Sequence, residues 1–460
     1  MIRIDYDKAD PVSIETYAKN LLGMSFRDVI EADELSADGA ENKKNKGNLG
    51  QIIEEHYFHY KINSDADPDF KEAGVELKVS PIKEKNDGSL AAKERLILTM
   101  INYNEIVKET FETGHFWKKS KLILLIFYLY KKDINQTLDY KIKYASLFTP
   151  PEQDFLIIRS DYDKILSKIN AGKAHELSEG DTLYLGAAPK AANASVRRSQ
   201  PFSNIPAKPR AFCYKNSYMT YVLNKYIVKA KTTYEPIIKD EPVSSFEDYV
   251  IEKIAAYRGW SIEDLCIEFN LDQAKNPKNL EALLTYRILG IKGNQAEEFI
   301  KADIVVKTIR IGKNGKIKEN MSFPAFKFKE LVEETWETST FGNYLRETRF
   351  FFVVYKFDEN DVLRLAGCLF WNMPYEDLEK DVRSVWEKAV KVLKDGLKVE
   401  EKDGRKFNNF PKQSENRVSH IRPHAKNAAD TYELPDGRQY PKQCFWLNNS
   451  YILEQIKDKI

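Results

Sequence analysis

Five segments of the 460-residue chain recur in the same order 225 to 236 residues further on. Leu22-Gly23-Met24-Ser25 resembles Arg258-Gly259-Trp260-Ser261, and Lys46-Gly47-Asn48-Leu49 resembles Pro277-Lys278-Asn279-Leu280. Glu109-Thr110-Phe111-Glu112-Thr113 lies against Glu334-Thr335-Trp336-Glu337-Thr338, and each is followed by an apolar run, Leu122 to Tyr130 and Phe350 to Tyr355. Pro189-Lys190-Ala191-Ala192-Asn193 matches Pro423-His424-Ala425-Lys426-Asn427, and Phe212 to Tyr218 matches Phe445 to Tyr451. A repeat of this length makes two similar domains and excludes a solenoid of short units. Between the copies, the stretch from Thr232 to Ser245 carries Pro236, Pro242 and paired serines with broken periodicity. The expected domains are therefore 1–235 and 246–460, joined by a linker at 236–245.

The two copies differ where chemistry is densest. Val75-Glu76-Leu77-Lys78-Val79 alternates with period two, so on a strand Glu76 and Lys78 share one face while Val75, Leu77 and Val79 enter the core. Lys71-Glu72-Ala73-Gly74 reads as a turn that brings Asp69 back toward Glu76. Two carboxylates and an ammonium can bring one divalent cation and one phosphodiester together, although an acid followed by Glu-x-Lys also occurs on ordinary solvated strands. In the second copy Glu76 becomes Val305 and Asp69 becomes Glu298, while Lys78 is matched by Lys307. A valine offers no oxygen to a hard cation. Leu49, Ile52, Ile53 and Tyr57 follow helical spacing, and Glu54 beside that stripe is a third candidate carboxylate whose second-copy partner is Thr285.

Composition adds bounds. The 71 basic and 70 acidic residues nearly cancel, so overall charge points to no polyanionic partner, and any such signal is local. One local signal is strong: residues 187–234 contain no Asp or Glu, where the proportion in the whole chain leads one to expect about seven. The same stretch holds nine basic residues, among them Lys190, Arg197, Arg198, Lys208, Arg210 and Lys215, interleaved with tyrosines and with Asn193. Such residues neutralise phosphates and read base edges, which makes this stretch a candidate DNA-contacting surface. The four cysteines show no CxxC or His-rich spacing, so neither a disulfide framework nor a structural zinc site is expected. The N-terminus has no basic region leading into an apolar one, and the longest apolar run is too short to span a bilayer. A cytoplasmic protein without membrane contact is the expectation.

Taken together, Lys46-Gly47-Asn48-Leu49-Gly50 with Glu54, Asp69-Phe70, Gly74 to Lys78, and Pro189 to Asn193 resemble the mismatch-repair nicking endonuclease MutH. The whole chain, with its degenerate second copy, resembles GATC-cutting type II restriction endonucleases built from two MutH-like domains in tandem. The resemblance implies an α/β fold: a restriction-endonuclease-like core in each half, with a mixed central sheet flanked by helices. It also implies Mg²⁺ as cofactor and duplex DNA containing GATC as substrate, with cleavage leaving 5′ phosphates. On the same basis Asp69, Glu76 and Glu54 hold the metal, Lys78 completes the catalytic set, and a further catalytic lysine before the next apolar strand matches Lys121. Lys190 matches the family's base-reading lysine. The family's arginine before that loop is Ala188 here, whereas the second copy has Arg422 before Pro423 and carries His424, so Arg422 and His424 are candidate DNA contacts of the second half.

The expected activity is double-strand cleavage, with the second half as a DNA-binding allosteric effector and with self-association of first halves on one site. Two alternatives stand beside it, a MutH-like nicking endonuclease of repair and a non-catalytic DNA-binding sensor.

Overall fold

The computed structural model describes residues 5–36, 49–60, 67–191, 193, 195–239, 243–272, 279–402 and 405–460. The Lys46-Gly47-Asn48 part of the first motif, Ala192 of the loop after Pro189, Pro277-Lys278 and the 240–242 part of the expected linker lie outside them. In the first half the strands are β1 (Glu76–Glu84), β2 (Leu90–Ala92), β3 (Leu96–Met100), β4 (Ile123–Leu129), β5 (Lys141–Phe148), β6 (Leu185–Pro189), β7 (Arg198–Gln200), β8 (Ser203–Ala207) and β9 (Arg210–Tyr214). In the second they are β10 (Ile304–Ile311), β11 (Met321–Phe326), β12 (Arg349–Phe357), β13 (Leu363–Trp371), β14 (Val399–Lys402), β15 (Arg405–Asn408), β16 (Ser419–Pro423), β17 (Thr431–Glu433), β18 (Gln439–Pro441) and β19 (Gln443–Leu447). Helices flank both sets, so the fold is mixed α/β.

Strand topology repeats. The first half has a mixed sheet in the order β2-β1-β4-β5 and an antiparallel sheet in the order β3-β9-β6; the second has β10-β12-β13 and β11-β19-β16. β1 runs parallel to β4 with Glu76 opposite Ile123, and β10 runs parallel to β12 with Val305 opposite Phe350. Small features repeat as well. Gly23 and Gly259 both adopt left-handed φ, +89° and +86°, a conformation open to glycine without strain. Their amides donate to Ile142 O at 2.9 Å and Leu365 O at 2.8 Å, which ties the same corner to the same sheet edge in each copy. Glu109 accepts the His115 amide and Glu334 the Thr340 amide, both at 3.1 Å.

The apolar run after Glu109 becomes β4, buried on both faces: Leu124 and Ile126 enter one core with Val75 and Leu77, while Ile123, Leu125 and Phe127 enter another. A continuous apolar run is what a strand covered on both sides requires. β12 behaves alike, with Phe350, Phe352 and Val354 in a core of the second half and Phe351, Val353 and Tyr355 in the core that also takes Ile123 and Leu125. The halves thus share one apolar core. Ile237 and Ile238, expected in a linker, are buried in it, and their amides donate to Glu298 at 2.9 and 3.0 Å. Among the described residues all four cysteines are free thiols, and no helix is long and apolar enough to cross a membrane.

Candidate active site

The turn before β1 forms as its sequence predicts. Phe70 and Val75 exchange backbone hydrogen bonds at 2.9 and 3.2 Å, and Gly74 takes φ +66° to close the reversal. Asp69 is thereby set beside the strand, where its Oδ2 accepts the Leu77 amide at 2.8 Å. Val75 and Leu77 are buried, anchoring β1 by roughly 1.5–3 kcal/mol each. On the opposite face Glu76 is buried, and Lys78 Nζ donates to its Oε1 at 2.6 Å. Glu54 arrives from the helix Leu49–Ile52, which continues as a π-turn over Ile53–Tyr57. Such π-turns recur at functional sites because the extra residue re-aims the side chains that follow.

The electrostatics bind these groups together. Burial pushes the Glu54 carboxyl up to about 7, with the charges of Asp69 and Glu76 acting in the same sense and Lys78 against it. Burial and the neighbouring Glu76 also raise Asp69. Carboxylates that raise one another across a shared space favour a positive charge between them, and the donors are all oxygen, which suits a hard divalent ion. Glu76 Oε2 is buried without a hydrogen bond; Lys119 Nζ lies 3.5 Å from it. An unsatisfied carboxylate oxygen facing raised carboxyls fits a ligand position. Among the described residues no three His, Cys, Asp or Glu side chains are already gathered as a metal-ligand group. Lys78 holds the other oxygen of Glu76, so the arrangement fits a cation that shares the site with lysines.

Two residues at this site escape the sequence reading. Lys121, the expected second lysine, is exposed just after the helix His115–Ser120, and Lys119 is the lysine that reaches Glu76. Phe116 and Ser120 are the buried positions of that helix, and Lys119, three residues after Phe116, falls on the same face. Helical spacing could have found it. Tyr60 packs edge-on against Phe70 with its buried hydroxyl unpaired, and burial together with Asp69, Glu54 and Glu76 raises its phenol strongly. No sequence pattern points to Tyr60.

The equivalent place in the second half is dismantled. Thr285 is fully buried and donates to Glu281 O at 2.8 Å, while Glu298 is committed to the amides of Ile237 and Ile238. Lys307 keeps the position of Lys78 on β10, and burial lowers its ammonium with no carboxylate contributing. Tyr344 stands where the Glu109 and Glu334 match puts the counterpart of Lys119.

The expected DNA contacts divide. Lys190, Asn193 and Arg197 are exposed along the loop between β6 and β7, Arg198 is exposed at the start of β7, and Arg422 and His424 are exposed at the end of β16. Arg210 and Lys215 are corrections, because both are buried. Arg210 donates to the carbonyls of Ala187 (2.5 Å) and Leu177, and Lys215 donates to Thr182 O at 2.5 Å. Burial takes the Lys215 ammonium down to about 8. Both hold the loop frame; neither is open to a phosphate. Lys208 is half-buried in a cleft that it lines with Arg346 and Glu379 of the second half, and burial lowers it.

The family model described as DNA mismatch repair enzyme MutH matches residues 58–161, a span that contains Asp69, Glu76, Lys78 and Lys119. The type II restriction enzyme Sau3AI of Staphylococcus aureus is 40% identical over 492 aligned positions, covering 97% of this chain and all of the relative. The DNA mismatch repair protein MutH of Vibrio campbellii is 26% identical and covers 47% of this chain and 93% of its own length. That of Shewanella woodyi is 29% identical over 40% of this chain and 79% of its own length. The mismatch-repair relatives are thus about one repeat long, and the restriction enzyme spans both.

Proposed function

The chain belongs to the MutH-like type II restriction endonucleases, and from that membership we propose that its first half cuts duplex DNA at GATC in a Mg²⁺-dependent reaction leaving 5′ phosphates. The observation that carries this reading is the meeting of Asp69 and Glu76 at the head of β1, with Lys78 and Lys119 both on Glu76. Asp69, Glu76 and Glu54 would hold the ion. When bound, Mg²⁺ supplies a more acidic water and a Lewis acid for the scissile phosphate. Lys78 and Lys119 hold positive charge against the phosphate oxygens and the attacking water, and the buried floor of Val75 and Leu77 keeps them on a rigid strand. Lys190 and Asn193 read base edges, and Arg197 and Arg198 neutralise backbone phosphates.

The second half, which keeps one lysine of the catalytic set and has its matching carboxylate, Glu298, bound to two backbone amides, is a DNA-binding effector that senses another site. One chain has one cutting centre, so two first halves assemble on one site to break both strands. The division into a cutting half, 1–235, and a binding half, 246–460, follows the repeat.

The test is digestion of a supercoiled plasmid with end-sequencing of the products. Linear DNA with ends at GATC is expected, and persistent open circle supports the nicking alternative instead. Asp69→Asn, Glu76→Gln and Lys78→Ala should each lower cleavage at least about a hundredfold while duplex binding survives. Wild-type cleavage in all three would remove the proposed site.

A further inference from the structure

The second half keeps the frame of the first half's reading loop and changes the residue it presents. In the first half β6 and β9 set Pro189 opposite Arg210, and the Lys190 amide donates to Pro209 O at 2.9 Å. In the second, β16 and β19 set Pro423 opposite Gln443, and the His424 amide donates to Lys442 O at 2.8 Å. The backbone that presents Lys190 therefore presents His424 in the same way, and both side chains are exposed.

One strand position further in, the copies diverge. Ala188 faces Ala211 in the first half, whereas Arg422 faces Cys444 in the second. Cys444 Sγ lies 3.2 Å from His424 Nδ1. Burial pushes this thiol up to about 11, so at neutral pH it keeps a proton to offer Nδ1 at this distance. In that pairing Nε2–H is the ring's donor toward a ligand. Arg422 is held over the Trp446 ring, 5.5 Å from its centroid, which keeps the guanidinium on the same strand end as His424.

We infer that His424, its tautomer fixed by Cys444, is the base-reading residue of the second half, donating Nε2–H to a purine acceptor in the major groove of duplex DNA while Arg422 takes an adjacent phosphate. The inference rests on the reading of the second half as a DNA-binding effector and names the contact by which it selects its site. A single imidazole donor offers one hydrogen bond where the Lys190 ammonium offers three. The second half is therefore the weaker discriminator, suited to sensing a site that the first half of another chain cuts.

The test uses a full-length background, termed the Lys190→Ala chain, that carries Lys190→Ala together with Asn193→Ala and so lacks the first half's base reading, and compares its affinity for a duplex carrying GATC with that for the same duplex with the four bases scrambled. Chelator is present so that no cleavage occurs. The Lys190→Ala chain should retain a preference for the GATC duplex, and adding His424→Ala should lower that preference roughly tenfold with scrambled-duplex affinity unchanged. His424→Lys, which copies the first half, should restore it. Cys444→Ala, which copies Ala211, should weaken the preference by freeing the tautomer, with scrambled-duplex affinity again unchanged. If the preference persists undiminished in His424→Ala, another residue reads the base and the inference is wrong. If the Lys190→Ala chain shows no preference before His424 is changed, the effector reading itself fails and takes this inference with it.

Discussion

Glu54 and Lys119 show how the site depends on individual environments. The Glu54 carboxyl, near 4.5 in the unfolded chain, is raised to about 7 by burial and by Asp69 and Glu76. Between those values the folded chain holds a proton that the unfolded chain has released, so without divalent cations stability falls as pH rises through that window. Glu54→Gln should accordingly melt higher than wild type at pH 8 and level with it at pH 4 in chelator, as read by calorimetry. Cation binding requires the carboxylate, so the rise in melting temperature on adding Mg²⁺ should shrink below pH 7 in the wild type, and a rise independent of pH would refute the assignment. The two lysines separate cleanly. Lys119, beside Glu76, should on replacement by alanine lower cleavage about a hundredfold. Lys121→Ala, at an exposed position, should cut within about twofold of wild type.

At the scale of elements, the turn Lys71–Gly74 and the strand β1 act as one device. A Cβ at Gly74 would meet nothing within 4 Å, so Gly74→Ala tests the left-handed φ of +66° and not crowding. The expected cost is about 1–2 kcal/mol by denaturant unfolding. Cleavage should drop further than that loss of stability accounts for, because relaxing the turn moves Asp69 away from the Leu77 amide. The loop after β6 is held by another device of this kind. Arg210 and Lys215 look like phosphate ligands by composition, yet their bonds to the carbonyls of Ala187, Leu177 and Thr182 fasten β6 to the segments that carry it. In the second half Glu298 has turned from a candidate ligand position into a clamp on Ile237 and Ile238. One position thus carries a proposed metal ligand in one copy and a chain fastener in the other.

Across the whole molecule the halves are coupled through a shared core and through buried polar contacts. Lys301 of the second half bonds Asp154 of the first at 2.7 Å, and both side chains are under 5% exposed. Lys301→Ala leaves Asp154 buried without its counter-ion and should cost about 3–5 kcal/mol in denaturant unfolding. Lys301→Met with Asp154→Leu should recover only part of that loss, because the Tyr218 hydroxyl then loses the carboxylate it donates to at 3.1 Å and Glu297 loses Lys301. Arg349 binds Glu247 and Asn372 and reaches Gly180 O, and the Ser178 hydroxyl donates to Arg346 O at 2.5 Å, so the second half grips the segment that leads into β6. These contacts join the second half to the segment that leads into β6 and so to the loop that carries Lys190.

The repeat, the parity of Glu76 and Lys78 on β1, the turn at Gly74 and the apolar strands β4 and β12 were all legible in the sequence, because each is a local pattern with a period or a fixed offset. The contrast of Glu76 with Val305 was equally legible, since a carboxylate either is present or is not. Burial was not. Whether Lys119 or Lys121 faces Glu76, whether Arg210 meets DNA or a carbonyl, and that Tyr60 stands among the carboxylates were decided by which surfaces the packed elements cover. Ile237 and Ile238 of the linker that the sequence suggested joined a common core for the same reason, since they found apolar partners from both halves. Local pattern determines what a residue can do, and tertiary packing determines the neighbours with which it does it.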